Sequence, residues 1–378
     1  MSAPIKAMSQ AHQGTGVAGA ALGACCAVRQ RVSIVVACRN ESKYIQAFVD
    51  SLLAQDLAGF DWEIIVADGA SDDGTSEILS GFAKRDSRIT IISNPSRFVS
   101  TGLNAAIQVA RGDVILRMDA HTEYAPDYVK RCVATLESSG ADNVGGPART
   151  KADGLLPRAI QAAYHSRFST GGARFHDDGY TGYVDTVPYG CWRKETLLKL
   201  GLFDEHLVRN QDDELNLRLT RAGGKIWQSA EIVSLYRPRS TFSALFRQYF
   251  QYGFWKVPVI RKHRLPGSWR HLIPGGFVAA NIAMFLVTIG AMITGSSGLL
   301  SPVLAAWTIV LAAYVVACAL AACFSAQRFG WQLLPYLPVT FAVFHLSYGL
   351  GFLMGSVYWT FARSLRPRLG RVFVGVTR

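Results

Sequence analysis

The chain has 378 residues, half of them hydrophobic and only 17% charged, which is room for one α/β domain and something more and fewer charges than a fully soluble enzyme carries. The net charge of +12 is uneven: 14 Lys and Arg follow Glu231 with no further Asp or Glu, leaving 25 of the 39 basic residues to balance all 27 acidic ones before that point. A basic, acid-free second half suits anionic lipid or an anionic substrate, and its strong apolarity argues against nucleic acid.

Residues 1–30 read as a flexible Ala- and Gly-rich leader, since the apolar run Val17 to Val28 is too short to span a bilayer. Val32–Ala37 is a buried first strand, and Cys38-Arg39-Asn40-Glu41 is the loop at its end. Ser42 opens an amphipathic helix with Ile45, Val49, Leu52 and Leu53 inside. Trp62–Ala67 is the second strand, closing on Asp68. Gly69–Thr75 is turn-rich, and a helix runs on through Ile78, Leu79 and Phe82. Arg88–Ile92 is the third strand and Thr101–Ala110 a helix containing Asn104. Val114–Met118 is the fourth strand, followed by Asp119-Ala120-His121. Strand alternating with helix at this spacing predicts a parallel, doubly wound sheet. Asn40 and Glu41, then Asp68, then Asp119 and His121 would crowd the carboxyl edge where such sheets bind ligands. A carboxylate there suits a divalent cation, and the cation a diphosphate. A solvated Asp capping a strand is the plainer alternative.

Pro126–Leu136 is a further helix and Ala141–Pro147 a strand. Gly171–Phe175 and Gly179–Tyr183 read as flexible loops. Val187–Trp192 is a short strand and Glu195–Leu200 a helix. Asn210–Arg218 is an acidic loop entering a helix, and Lys225–Ile232 begins a last strand. From 237 to 271 the chain is basic and aromatic, as an amphipathic helix at a membrane interface would be. From Leu272 to Ala362 the one charged residue is Arg328, and the run divides into segments near 273–294, 299–323 and 334–360, each long enough to span. The basic stretch belongs on the cytoplasmic side, yet three crossings would leave the 363–378 tail, with five Arg, outside. Either that charge rule is broken or one segment does not cross. The third holds Pro335, Pro338 and several glycines and is the one expected to be broken or re-entrant. Seven scattered Cys, with no Cys-x-x-Cys pair and no metal spacing, suggest reduced, packed thiols.

Four motifs in order carry a family resemblance: Ala37-Cys38-Arg39-Asn40-Glu41, Asp68 with Asp72 and Asp73 behind it, Asp119-Ala120-His121, and Gln211-Asp212-Asp213-Glu214-Leu215. Over about 31–256 the chain resembles the family-two inverting glycosyltransferases of the GT-A fold, and among them the ExoA-type bacterial exopolysaccharide glucosyltransferases. The resemblance implies a GT-A (Rossmann-like) nucleotide-sugar domain over 31–236, an interfacial linker over 237–271, a small transmembrane domain over 272–362 and a basic tail. Ala37, Arg39, Asn40, Glu41, Asp68, Asn104 and Asp119 would then bind the donor, with Asp68 accepting from the N3–H of uracil. Asp119 and His121 would hold Mg²⁺ or Mn²⁺. The family usually has Asp-x-Asp here, and the imidazole tilts the expectation towards Mn²⁺. Asp212 would be the general base, with Asp213 its one-residue rival and Gln211 in the place of the family's Glu. Asp72 and Asp73 are expected as turn and cap residues.

Arg247, Gln248 and Trp255 stand where processive members carry Gln-x-x-Arg-Trp, in an altered pattern. With Gln211 and Asp213 they are candidates near the acceptor or diphosphate; a basic helix lying on lipid is the alternative. Arg149 and Trp192 either line the sugar site or are structural. The implied activity is that of a hexosyltransferase moving a sugar, expected to be glucose, from a UDP-sugar. The acceptor would be a polyprenyl-diphosphate-linked glycan at the cytoplasmic face of a bacterial inner membrane rich in anionic lipid. Arg261, Lys262 and Arg264 would dock the lipid. A processive polysaccharide synthase and a silent membrane scaffold are the rivals. His165, His176 and His345 have no evident partners in the sequence, and His345 is flagged as a polar group inside an apolar segment.

Overall fold

In the computed structural model, described here for residues 29–361, the chain forms an α/β domain followed by long helices. The expected leader, except Arg29 and Gln30, and the expected tail lie outside the described residues. The domain opens with β1 (Arg31–Cys38), α1 (Ser42–Leu53), β2 (Asp61–Asp68), α2 (Thr75–Arg85), β3 (Ile89–Ser93), α3 (Val99–Val109) and β4 (Val114–Arg117). It continues with β5 (Thr122–Tyr124), α4 (Tyr128–Ser139), β6 (Asn143–Gly145), β7 (Arg149–Thr150), α5 (Leu155–Tyr164), α6 (Arg167–Thr170), β8 (Gly182–Tyr183) and β9 (Cys191–Arg193). It closes with α7 (Lys194–Leu200), α8 (Gln211–Arg221), β10 (Ile226–Gln228) and β11 (Ser234–Tyr236).

The main sheet has eight strands in the order β3-β2-β1-β4-β9-β6-β10-β8, and β5, β11 and β7 form a small second sheet. Alternate residues of β1 face opposite layers. Ile34 and Val36 pack with Ile45, Val49 and Leu52 of α1, while Val35 packs with Leu103 and Ile107 of α3. Each such side chain, fully buried, contributes about 1.5–3 kcal/mol. Cys38 pairs with Asp68, so β1 and β2 end together, while β4 ends earlier, with Arg117 opposite Val35.

The sheet is mixed, not parallel throughout: β9 runs antiparallel to both β4 and β6, and β8 antiparallel to β10. A parallel entry needs a crossover packed on the sheet. The segment before β9 sends its helix elsewhere. Ala159, Ile160 and Ala163 of α5 pack against the long helices instead. The loops expected over 171–183 do hold few elements, but α5 and α6 before them were not expected.

After the domain come α9 (Phe242–His263), α10 (Ile273–Ile293), α11 (Ser297–Phe329) and α12 (Leu337–Phe361), the last three long and apolar enough to cross a membrane. α12 is unbroken, because Pro338 falls in its first turn, where proline is tolerated. α9 is not simply a helix resting on lipid: Leu245, Phe254, Trp255 and Val259 are buried. It packs on α12 backbone to backbone. A Cβ at Gly253 would lie 2.1 Å from the Tyr348 carbonyl oxygen, and one at Gly351 2.1 Å from that of Phe250. Cys38, Cys132, Cys191 and Cys318 are buried, Cys323 is exposed, and all five are free thiols.

Candidate active site

A cavity of about 1600 Å³ opens at the carboxyl edge of the sheet and reaches α12. The β1–α1 loop forms one wall. Asn40, with a left-handed φ of 56°, exchanges hydrogen bonds with Asp72 at 2.9 and 3.0 Å. Asp73 accepts from the backbone of Ser42 and from Thr75, so Asp72 and Asp73 are turn and cap residues that hold the two loops together. Ala37, Arg39, Asn40 and Glu41 line the cavity.

At the end of β4, Arg117 carries a guanidinium into the buried floor. It donates to both oxygens of Asp119 at 3.0 and 3.1 Å and, from its other face, to Asp212 at the start of α8. The Asp119 backbone N–H donates to Tyr124 Oη at 2.7 Å. Asp212 and Asp213 project from the first turn of α8, which Asn210 enters with a left-handed φ while its side chain donates to the Tyr252 carbonyl at 2.9 Å. Burial pushes the Asp212 carboxyl above the usual carboxylate range, against the pull of Arg117. Asp213 differs: burial also penalises its charge, but the paired Lys256, with His271 beyond, outweighs that and holds its pKa low. Two adjacent carboxylates are thus driven apart, the pattern that separates a proton acceptor from a fixed charge.

His121 lies 3.6 Å from the Glu41 carboxylate, which, with Asp119 beyond, raises the imidazole pKa. Asp119 and His121 both line the cavity, and no group of three or more His, Cys, Asp or Glu among the described residues forms a metal cage. One carboxylate and one imidazole on an open wall fit an ion that takes its remaining ligands from a phosphate and water.

The family model for "Glycosyl transferase family 2" matches residues 33–193. The chain is also 30% identical over 321 residues to the succinoglycan biosynthesis protein ExoA of Rhizobium meliloti (strain 1021), covering 84% of this chain and 93% of that one. This chain is a family 2 glycosyltransferase. A second relative in the same range is the dolichyl N-acetyl-α-D-glucosaminyl phosphate 3-β-D-2,3-diacetamido-2,3-dideoxy-β-D-glucuronosyltransferase of Methanococcus voltae, 28% identical over 65% of this chain and 78% of that one. Among solved structures, the mannosyltransferase PcManGT from Pyrobaculum calidifontis, in complex with GDP-Man and Mn²⁺, superposes with a TM-score of 0.56. It is 19% identical, over 86% of this chain and 88% of that one, and shares the GT-A fold.

The glycosyltransferase does not bring every expected residue to its cavity. Asn104 is turned away: its amide donates to the Phe203 carbonyl and Glu205 at 2.9 Å each and accepts from Phe203 N–H, pinning α3 to the turn after α7. Asp68 stands behind the wall, its oxygens accepting from Ser71 and Ser76 at 2.6 and 2.5 Å. Arg247 points outward on α9, and Trp255 is packed with Leu207 and Val259. Gln211, Asp212, Asp213 and Gln248 do line the cavity, Gln248 donating to Tyr236 and Tyr252 hydroxyls. Lys262 is committed to Asp204 and Glu214, at 2.6 and 2.8 Å, and Arg261 to the Trp359 carbonyl, so these cations hold α9 in place. Arg149 lines the cavity and also bonds the carbonyls of Asp178, Ala230 and Ile232, whereas Trp192 is in the core. His165 pairs with Thr150 at 2.7 Å, and His345 bridges Tyr314 and the Phe168 carbonyl at 3.0 and 2.8 Å.

Sequence reasoning missed Arg117, Lys256, Arg270, His271 and Tyr348, all on the cavity wall. For Arg117 a signal existed. An arginine inside Val114–Met118 must be buried, and a buried guanidinium needs acidic partners.

Proposed function

We propose that the protein is an inverting, metal-dependent hexosyltransferase of bacterial exopolysaccharide assembly. It moves glucose from UDP-glucose to a polyprenyl-diphosphate-linked glycan at the cytoplasmic face of the inner membrane. The similarity to ExoA, a succinoglycan biosynthesis protein, supports the pathway. The observation that carries the mechanism is the pairing of Asp212, whose pKa is raised, with Asp119 through one buried guanidinium in a cavity shared with α12.

Ala37, Arg39, Asn40 and Glu41 bind the nucleoside side of the donor. Asp68 would take the uracil N3–H after exchanging a serine hydroxyl for it. A divalent cation held by Asp119 and His121 would neutralise charge on the departing UDP. Asp212 accepts the proton of the acceptor hydroxyl as that oxygen bonds to C1, the C1–O bond to UDP breaks on the opposite face, and the anomeric centre inverts. Arg117 keeps the carboxylate aimed at the acceptor. Lys256, Arg270, His271 and Tyr348, at the end of the cavity towards α12, face the acceptor's phosphate groups.

Incubation with UDP-glucose and a short-chain polyprenyl-diphosphate glycan tests the reading. One added β-linked glucose, identified by NMR, is the expected product. An α-linked product overturns inversion. A ladder of products favours the processive reading, which the altered pattern around Gln248 does not support.

A further inference from the structure

The three long apolar helices meet the catalytic domain in different ways. α10 departs from it. Arg270, just ahead of that helix, donates to Asp185 at 2.5 Å, and its stem lies so close to Gly171 that a Cβ there would be 2.8 Å from Arg270 Cδ. α10 and α11 then run antiparallel. The Phe277 and Tyr314 rings are 4.6 Å apart, and one turn further on Trp307 donates to Asn281 at 2.9 Å. The turn between them is bare: residues 292–299 are all exposed, and a Cβ at Gly295 would meet nothing within 4 Å. α11 returns to the domain, where the Phe329 carbonyl accepts from Arg158 at 3.2 Å and its ring stacks on His165.

α12 never leaves the domain. At its start Leu337 and Phe341 pack with Ala159 and Ile160 of α5. At its middle His345 bonds the Phe168 carbonyl of α6. At its end Tyr358 and Trp359 pack with Leu207, Phe254 and Trp255. A helix of 25 residues is about 37 Å long at 1.5 Å per residue. One whose start, middle and end all touch the same domain runs along that domain's face and cannot also pass through a bilayer. Its outward face is apolar from end to end. Val339, Leu346, Leu350, Met354, Val357 and Phe361 are exposed, at helical spacings that put them on one stripe, and Thr360 is the one polar residue exposed on the helix.

We propose that α12 lies in the plane of the membrane with this stripe in the near leaflet, that α10 and α11 are the two crossings among the described residues, and that Phe361 ends on the catalytic side. Lipid is the occupant the stripe fits, since it is continuous with the helices that enter the bilayer beside it. The charge pattern agrees. Two crossings place the five Arg after position 362 on the same side as the basic 237–271 stretch, whereas three crossings would part them. The cavity wall built by Phe344, His345 and Tyr348 then sits at the leaflet surface, where a lipid-linked molecule arrives sideways.

The test uses the full chain in sealed membrane vesicles, with single substitutions Ser87→Cys, Ser296→Cys and Arg378→Cys read above the parent's own thiols by an impermeant maleimide. Position 378 should label from the same side as 87, and 296 from the other. Labelling of 378 together with 296 would overturn the proposal. Independently, a fluorophore on Cys at 339, 350 or 361 should be quenched to the same shallow depth by lipids brominated at defined carbons. A deep 350 flanked by shallow 339 and 361 would mean that α12 crosses.

Discussion

The Arg117 guanidinium donates to the Asp212 carboxylate, joining two residues 95 positions apart, and the same group grips Asp119 with its remaining edge. The proposed donor end of the site and the proposed base are therefore fixed to one another through one side chain. Arg117 favours the ionised form of Asp212, so its removal should raise that pKa further. The carboxylate must be ionised to accept a proton, so the acidic limb of the kcat/KM profile should move to higher pH in Arg117→Met. At neutral pH the loss should be tenfold or more. An unmoved limb would separate Arg117 from the base.

The adjacent acids should respond unequally. Asp212→Asn removes the proposed proton acceptor and should lower kcat by about 10²–10⁴-fold. Asp213→Asn loses a partner of Lys256 and should cost less, with KM for the acceptor rising more than kcat falls. Steady-state kinetics on both variants decide the assignment, and the reverse ranking would make Asp213 the base.

Glu214 should matter for stability rather than for chemistry. Its fully buried carboxylate accepts from Arg218 at 2.9 Å, Lys262 at 2.8 Å and His263 at 3.0 Å. Removing one partner of a buried ionic cluster costs about 3–5 kcal/mol. Glu214→Ala should therefore melt well below the parent in detergent, while UDP binding per folded molecule is retained.

The joint between α9 and α12 should tolerate no side chain. In Gly253→Val the added carbon would collide with the Tyr348 carbonyl, and a backbone cannot move aside as a flexible side chain can. The yield of folded protein should collapse, as size-exclusion profiles will show. Gly276→Ala, with open space around it, should behave like the parent.

His121→Asp should shift the metal preference. A carboxylate is a harder ligand than imidazole, so activity with Mg²⁺ should rise relative to Mn²⁺. Chelator should abolish turnover in both forms, and restored metal should return it.

Much of this was legible in the chain. The strand run Val32–Ala37, the helix from Ser42 and the acidic entry to α8 stand close to where hydrophobic periodicity and turn chemistry put them. The mixed strand order was not legible, because the direction of β9 depends on where α5 packs, and α5 packs on helices 150 residues further on. Asn104 and Trp255 were misplaced for a related reason. A side chain's element can be read from local pattern, but whether it faces a cavity or a neighbour is decided by packing partners remote in sequence. α12 had the composition of a membrane span, and its contacts at both ends with the catalytic domain have no signature in its own sequence.

The cavity is proposed to bind a nucleotide sugar, with Asp212 activating the acceptor. The most direct test is UDP release by the purified protein in lipid from a panel of nucleotide sugars, with Mn²⁺, Mg²⁺ or chelator, beside Asp212→Asn. Metal-dependent release from UDP-glucose, lost in the variant while calorimetric UDP binding persists, is the predicted result. Equal release by parent and variant, or no UDP binding by either, would contradict it.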